Sequence, residues 1–186
     1  MEEEPFTILA SDTNLEAMKA KCSAIKLGYL KDNFADCFVK EVVQKDITIN
    51  RGYWSRTLAI QQTVRNFLTR RSDDDITKRQ VLNLGCGYDT LYFNLNTEKD
   101  HQYVDYSFVE LDLSCVIKKK IEFIEKEEKL KAAFSGPLEN INDRLLKAKN
   151  YYLGDCDLRD LEDFEQVLVN SEIDFNAPTL IFTECV

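Results

Sequence analysis

The chain has 186 residues, of which 44% are hydrophobic and 31% charged, and its 33 acidic and 24 basic side chains give a net charge of -9. This composition is typical of a soluble globular protein with one sizeable core, and the acidic balance disfavours binding to nucleic-acid phosphates. No apolar run approaches the roughly 20 residues that span a bilayer, and the amino terminus lacks the features of a secretory signal, so the sequence predicts no membrane association and a cytoplasmic location.

The amino-terminal part of the chain predicts helices. Apolar residues recur there at helical spacing, which predicts helices over 14–27, 34–43 and 53–68. The Arg51-Gly52 pair predicts a break before the last of them. We therefore interpret residues 1–78 as an N-terminal helical segment.

From residue 79 onwards, short apolar runs alternate with helical patterns. The predicted strands cover 80–84, 103–111, 151–153 and 179–183, and the predicted helices cover 91–95, 114–130 and 161–168. Strands that alternate with helices favour an α/β fold with a doubly wound parallel sheet.

Cysteine and histidine usage excludes several kinds of site. The six cysteines are scattered, no Cys-x-x-Cys pair occurs, and His101 is the only histidine. Zinc sites need clustered ligands, and disulfide scaffolds are found in small secreted domains. The sequence therefore predicts reduced and mostly buried thiols, no metal site and no histidine-based catalytic triad.

Residues suited to ligand binding follow each of the four predicted strands. In a doubly wound sheet, ligands bind at the carboxyl ends of the strands. In chain order, the residues at these ends are Gly85-Cys86-Gly87, Asp112, Asp155 with Asp157 and Leu158, and Glu184. We therefore expect one ligand site along this edge.

The spacing of these residues favours a nucleoside without a pyrophosphate. An acid that ends the second strand, as Asp112 does, commonly binds the ribose hydroxyls of a nucleoside. Thr90 stands where the dinucleotide-binding fingerprint has its third glycine. S-adenosylmethionine, with a ribose, an adenine, a sulfonium and an amino-acid end, suits this pattern. Its carboxylate needs a cation, and the spacing leaves Lys21, Arg51 and Arg56 open as candidates.

Several segments taken together resemble the leucine carboxyl methyltransferase family. They are Ser11–Asn14, Lys21–Tyr29, Ile49–Arg56, Asn83–Thr90, Val109–Asp112, Asp157–Asp160 and Pro178–Val186. The resemblance covers nearly all of the chain, in order. It implies a class I S-adenosylmethionine-dependent methyltransferase fold, which is a Rossmann-like doubly wound sheet, with an N-terminal helical extension. It also implies methylation of the C-terminal leucine carboxylate of the type 2A protein phosphatase catalytic subunit, whose C-terminal tail would be the partner.

The resemblance also assigns roles to individual residues of this chain. It implies that Lys21 and Arg56 hold the carboxylate of the cofactor and that Gly85 lies against its amino-acid end. Asp112 would bind the ribose hydroxyls, and Asp157 with Leu158 would flank the adenine. Glu184 would contact the amino group of the cofactor. Arg159 is a candidate for orienting the substrate carboxylate, or a surface arginine paired with Asp160. No catalytic base is assigned, because a carboxylate is ionised at neutral pH and is already the nucleophile.

The family continues beyond the point where this chain stops, at Val186. We therefore expect residues 79–186 to be the first, incomplete part of the cofactor-binding domain, truncated after about its fourth strand, and we expect this fragment alone to be inactive. Two alternatives stay open. One is the sister branch of the family, a carboxyl methyltransferase of the transfer-RNA wybutosine pathway. The other is a truncated, non-catalytic cofactor-binding fragment.

Overall fold

A computed structural model describes residues 5–69, 78–98 and 103–184, so that His101 and Cys185 lie outside the described residues. The helices are α1 (Pro5–Lys26), α2 (Ile47–Thr69), α3 (Leu91–Thr97), α4 (Ser114–Lys126), α5 (Glu128–Lys131) and α6 (Leu161–Asn170). The strands are β1 (Lys78–Leu84), β2 (Asp105–Asp112), β3 (Glu139–Asn142), β4 (Leu145–Ala148), β5 (Tyr151–Asp155) and β6 (Thr179–Thr183). No helix in these ranges is both long and apolar enough to cross a membrane.

The six strands form one sheet in the order β3-β4-β5-β2-β1-β6. The four strands β5, β2, β1 and β6 are mutually parallel, as the sequence predicted. The chain runs outwards from β1 through β2 to β5 and then returns to the opposite side of β1, where β6 pairs with it. This reversal of strand order creates the crevice in which doubly wound sheets bind their ligands, and it confirms the predicted α/β class.

The prediction of four strands was wrong in number, because a β-hairpin precedes β5. Strands β3 and β4 pair antiparallel with each other, and β4 pairs antiparallel with β5. The sheet is therefore mixed, and β6 is its sixth strand but the fourth of the parallel set. Each hairpin strand has only four residues, too few for an alternating pattern to stand out from the surrounding polar residues.

The predicted N-terminal helices also need correction. Helix α1 begins at Pro5, well before the predicted start. The predicted helix over 34–43 is a single 3-10 turn, Ala35–Cys37, whose start is fixed by hydrogen bonds from the Phe34 and Ala35 amides to Asp32. Helix α2 runs through Gly52 without a break. One glycine weakens a helix by only about 1 kcal/mol, which the packing of the buried α2 side chains outweighs.

The predicted helix over 114–130 is interrupted at Glu127. This residue has an extended backbone conformation, with φ -106° and ψ 106°, and it separates α4 from α5. The lysine- and glutamate-rich sequence there supports helix on either side, so nothing in its composition marked the interruption.

Both faces of the sheet are packed. One face carries the larger cluster, including Phe108 of β2, Leu153 of β5 and the aromatic residues of α3. The other face carries Leu82, Val109 and Leu111 and is covered by Val167 of α6 and its neighbours. Five cysteines lie in the described ranges as free thiols, and four of them are buried, which confirms the predicted burial.

A buried ion pair lies within the larger cluster. Lys120 Nζ of α4 is 2.7 Å from Glu110 Oε2 of β2, and both side chains are completely buried. The Tyr151 hydroxyl donates to the same carboxylate oxygen, and Asn83 Nδ2 lies 3.4 Å from the other. Glu110 is two residues before Asp112, so this pair supports the strand end that faces the predicted site.

Candidate functional site

A cavity of about 580 Å³ opens at the carboxyl edge of the parallel strands and is closed on one side by α1 and α2. Its volume is within the range of small-molecule sites. All the residues to which the resemblance assigned a role line this cavity: Lys21, Arg56, Gly85, Asp112, Asp157, Leu158, Arg159 and Glu184. Asp155, which the sequence also predicted at this edge, does not line the cavity, and its carboxylate instead forms an ion pair with Arg144. The fold therefore brings together residues from four strand ends and two helices.

The glycine turn after β1 forms the floor of the cavity. Gly85 and Gly87 have φ angles of 70° and 49°, which glycine adopts without a steric penalty. The Gly85 and Cys86 amides both donate to the Leu111 carbonyl, which fixes the turn against the end of β2. A Cβ atom on Gly87 would be 2.6 Å from Asn14 Oδ1 of α1. A bare backbone at this position is thus what allows α1 to approach the cavity.

Asp112, at the end of β2, lines the cavity beside the glycine turn. Its two carboxylate oxygens accept hydrogen bonds of 2.7 Å from the Gly87 and Leu113 amides, respectively. Burial raises the pKa of Asp112, whereas the two amide hydrogen bonds lower it. Since each carboxylate oxygen has two acceptor positions, the side chain keeps acceptor capacity for hydroxyl groups of a ligand.

Lys21 brings a buried ammonium group to the cavity. Its Nζ donates to Thr90 Oγ1 at 2.7 Å and to Asp32 Oδ2 at 2.9 Å, and it is 3.6 Å from Asp89 Oδ1. Burial alone would lower the pKa of Lys21, but the charges of Asp32 and Asp89 outweigh burial and raise it. The side chain therefore stays positively charged.

Arg56 is the second cation in the cavity. Its Nε is 2.5 Å from Glu184 Oε1, and its guanidinium lies 4.5 Å from the centroid of the Tyr53 ring. Arg51, which the sequence left as an equal candidate, is exposed to solvent. Burial and the nearby Asp89 raise the pKa of Glu184, and the charge of Arg56 acts in the opposite direction.

Arg159 pairs with a different partner from the one the sequence suggested. Its Nε donates to Asp157 Oδ1 at 2.9 Å, and its backbone amide donates to the same oxygen at 3.0 Å. These hydrogen bonds lower the pKa of Asp157 to about 2. Asp160, the expected partner, instead caps the amino end of α6 by accepting from the Glu162 and Asp163 amides.

Two cysteines line the cavity, Cys86 and Cys156. Burial raises the pKa of Cys156 to about 11, and that of Cys86 is also raised well above its usual value. Because the thiolate is the nucleophilic form of cysteine, these neutral thiols are not suited to nucleophilic catalysis. Within the ranges that the structure covers, no group of acidic, histidine and cysteine side chains is arranged to hold a metal ion.

Sequence reasoning missed Asp32 and Asp89, the two carboxylates beside Lys21. Asp32 follows no strand. Asp89 lies just past the glycine turn, beside Thr90, the position of the missing third glycine. The one available signal was Lys21 itself, because a lysine assigned to a largely buried site needs acidic partners.

The comparisons with known proteins agree with this architecture. Residues 9–186 match the sequence profile of the leucine carboxyl methyltransferase family. The chain is 34% identical to the Leucine carboxyl methyltransferase 1 homolog of Arabidopsis thaliana, over 94% of this chain and 51% of that protein. It is 34% identical to Leucine carboxyl methyltransferase 1 of Caenorhabditis elegans, over 94% of this chain and 53% of that protein. It is 31% identical to tRNA wybutosine-synthesizing protein 4 of Homo sapiens, over 94% of this chain and 26% of that protein. The chain thus spans about half the length of the leucine carboxyl methyltransferases that it matches.

Proposed function

This chain belongs to the leucine carboxyl methyltransferase family, and on that premise we propose that the protein carrying it transfers a methyl group from S-adenosylmethionine to a carboxylate. The proposed acceptor is the C-terminal leucine of the type 2A protein phosphatase catalytic subunit. One observation carries the most weight: two cations, an acceptor for hydroxyl groups and an acceptor for an ammonium line the same cavity, at the switch point of the sheet.

The chemistry of these side chains fits the proposed cofactor group by group. Lys21 and Arg56 would bind the carboxylate of its amino-acid end, and Glu184 would accept from its ammonium. Asp112 would accept from the ribose hydroxyls. The half-buried apolar side chain of Leu158 offers a surface for the adenine. When bound, S-adenosylmethionine supplies an electrophilic methyl group on its sulfonium.

The proposed reaction requires little proton transfer by the protein. The acceptor carboxylate is ionised at neutral pH, so it needs no general base. The contribution of the chain is to hold the two reactants in line and close together, an effect that supplies up to roughly 7–11 kcal/mol in well-oriented reactions. Arg159, exposed at the mouth of the cavity beside Asp157, would orient the incoming carboxylate.

The test has a binding part and a transfer part. Calorimetry of the chain with S-adenosylmethionine should show saturable binding, and the protein carrying it should then transfer a labelled methyl group to the phosphatase catalytic subunit. Transfer should disappear when the terminal leucine of the phosphatase is deleted. Binding without transfer to any carboxylate would support a non-catalytic fragment instead.

A second candidate function follows from the similarity to tRNA wybutosine-synthesizing protein 4. In that case the acceptor would be a carboxylate on a modified guanosine of transfer RNA. The net charge of -9 weighs against this acceptor, because RNA binding relies on basic surface. Methyl transfer to hypomodified transfer RNA, but not to the phosphatase, would decide for this alternative.

Replacing Arg56 with alanine is expected to weaken binding of S-adenosylmethionine more than binding of decarboxylated S-adenosylmethionine. The reason is that only the first ligand has the carboxylate that Arg56 would bind. Calorimetry with both ligands measures the difference, and Arg51→Ala on the same helix is the matched control, expected to change neither affinity. Equal losses for the two ligands in Arg56→Ala would place the role elsewhere.

Acidification is expected to weaken binding of S-adenosylmethionine through Glu184. Its pKa lies above the ordinary value of 4.5, because burial and Asp89 raise it more than Arg56 and Lys21 lower it. The ammonium of the ligand is held by the charged form, so affinity should fall as the pH drops from neutral through this raised pKa. Titration calorimetry across that range measures the effect. The fall in affinity should be smaller in Glu184→Gln, and the pH dependence that remains in this variant should come from Asp112. An identical pH profile in that variant would contradict the assignment.

A further inference from the structure

Two of the residues that contact the Lys21 ammonium lie outside the lining of the cavity. Asp32 does not line the cavity, and its side chain is only 1% exposed. Its Oδ2 accepts from Lys21 and from the Thr90 hydroxyl. Thr90 is also fully buried and outside the lining. A carboxylate and a hydroxyl group thus lie behind the ammonium, on the side away from the ligand space.

The position of the Asp32 carboxylate is itself fixed. Its Oδ1 accepts from the Phe34 and Ala35 amides at 2.8 and 3.0 Å. The same segment is attached to α3 by a hydrogen bond from the Asn33 amide to Asn94 Oδ1. The Phe34 ring also packs against Phe93, at 5.6 Å between centroids. The loop therefore presents Oδ2 to Lys21 in one orientation.

A count of donors shows what this arrangement leaves for a ligand. An ammonium has three N–H donors, and the hydrogen bonds to Thr90 and Asp32 use two of them. Asp89 Oδ1, at 3.6 Å, contributes charge but is beyond hydrogen-bonding distance. Since Lys21 lines the cavity, its third donor is available to an acceptor there. The supporting charges keep this donor protonated, because without Asp32 and Asp89 burial would favour the neutral amine.

We infer that Asp32 is a positioning residue: with Thr90, it holds the ammonium of Lys21 in the one orientation that lets the third donor bind the carboxylate of the ligand's amino-acid end. The inference rests on the proposed function, since it requires S-adenosylmethionine in the cavity. Asp32 sets the preference for a ligand with a carboxylate without touching the ligand. Its effect is therefore distinct from that of a residue that merely stabilises the fold.

The test compares two ligands rather than one. Asp32→Asn keeps the size of the side chain but turns an amide donor or a neutral oxygen towards Lys21. We expect the preference for S-adenosylmethionine over decarboxylated S-adenosylmethionine to fall about tenfold or more, the scale of one hydrogen bond to a charged group. In a Lys21→Met background, Asp32→Asn should leave the remaining preference unchanged. Asp36→Asn is the control, because Asp36 lies in the same segment but its side chain is 72% exposed and pairs with Lys129.

A second variant keeps the inference testable if Asp32→Asn does not fold. Thr90→Val keeps shape and charge but removes the hydroxyl that accepts from Lys21, and it should reduce the same preference. Thr90→Ser, which retains the hydroxyl, should preserve it. The inference is overturned if the variants lose the same factor of affinity for both ligands, so that the preference of the unmodified chain is kept, or if they lose no affinity at all. In those outcomes the proposed function stands, whereas an unmodified chain that binds no S-adenosylmethionine overturns both.

Discussion

A Lys120→Met variant is expected to lose about 3–5 kcal/mol in free energy of unfolding, the typical effect of removing one partner from a buried ion pair. Lys120 and Glu110 are completely buried and 2.7 Å apart. Without the ammonium, the Glu110 carboxylate keeps the Tyr151 hydroxyl as a donor but loses the counter-ion that lies 2.7 Å away. Chemical denaturation followed by circular dichroism measures the loss.

Two further variants distinguish the buried charge from a general effect on α4. Lys118 is in the same helix as Lys120 and forms an exposed ion pair with Asp143. Lys118→Met removes that pair and should change the free energy of unfolding by less than about 1 kcal/mol. The double variant Lys120→Met/Glu110→Gln should recover much of the loss, because no unpaired charge remains and the amide oxygen still accepts from Tyr151. A loss for Lys120→Met no larger than that for Lys118→Met would contradict the importance of the buried pair.

The sequence predicted the parallel strands well because their signals are local. Val81-Leu82 and Phe108-Val109 belong to apolar runs, and each strand ends at a glycine or an acid. The hairpin of β3 and β4 has no such pattern, since its strands are formed through pairing with β5. Similarly, Gly52 suggested a helix break because its local propensity is unfavourable, but the tertiary packing of α2 overrides that propensity.

In the candidate site, too, the residues with a local sequence signal were predicted, and those whose role depends on tertiary contacts were not. Asp112 and Glu184 were predicted because they end strands whose order in the sheet follows from the fold class. Arg56 could not be separated from Arg51 by spacing, because only the rotation of α2 against the sheet decides which side chain faces the cavity. Asp32 was missed because its role depends on contact with Lys21 across the fold, and nothing local in the sequence records that contact.

The largest expected effect on ligand binding belongs to Asp112. Its side chain is one of the groups that tie the glycine turn to the end of β2, through the hydrogen bond from the Gly87 amide. Its replacement by alanine would remove the acceptors for the ribose hydroxyls and also release one anchor of the turn. Both effects would weaken binding of S-adenosylmethionine.

Asp112→Ala is therefore expected to weaken binding of S-adenosylmethionine by about 1.5–3 kcal/mol, the scale of hydrogen bonds to a charged group. Calorimetry measures this change, and Asp105→Ala is the matched control, because Asp105 is an exposed acid at the opposite end of the same strand. The control should leave the affinity unchanged. Adenosine, which keeps the ribose but lacks the amino-acid end, should also lose affinity, because the ribose interaction is removed for both ligands. If Asp112→Ala weakened S-adenosylmethionine but not adenosine, Asp112 would act on the amino-acid end, and the ribose assignment would be wrong.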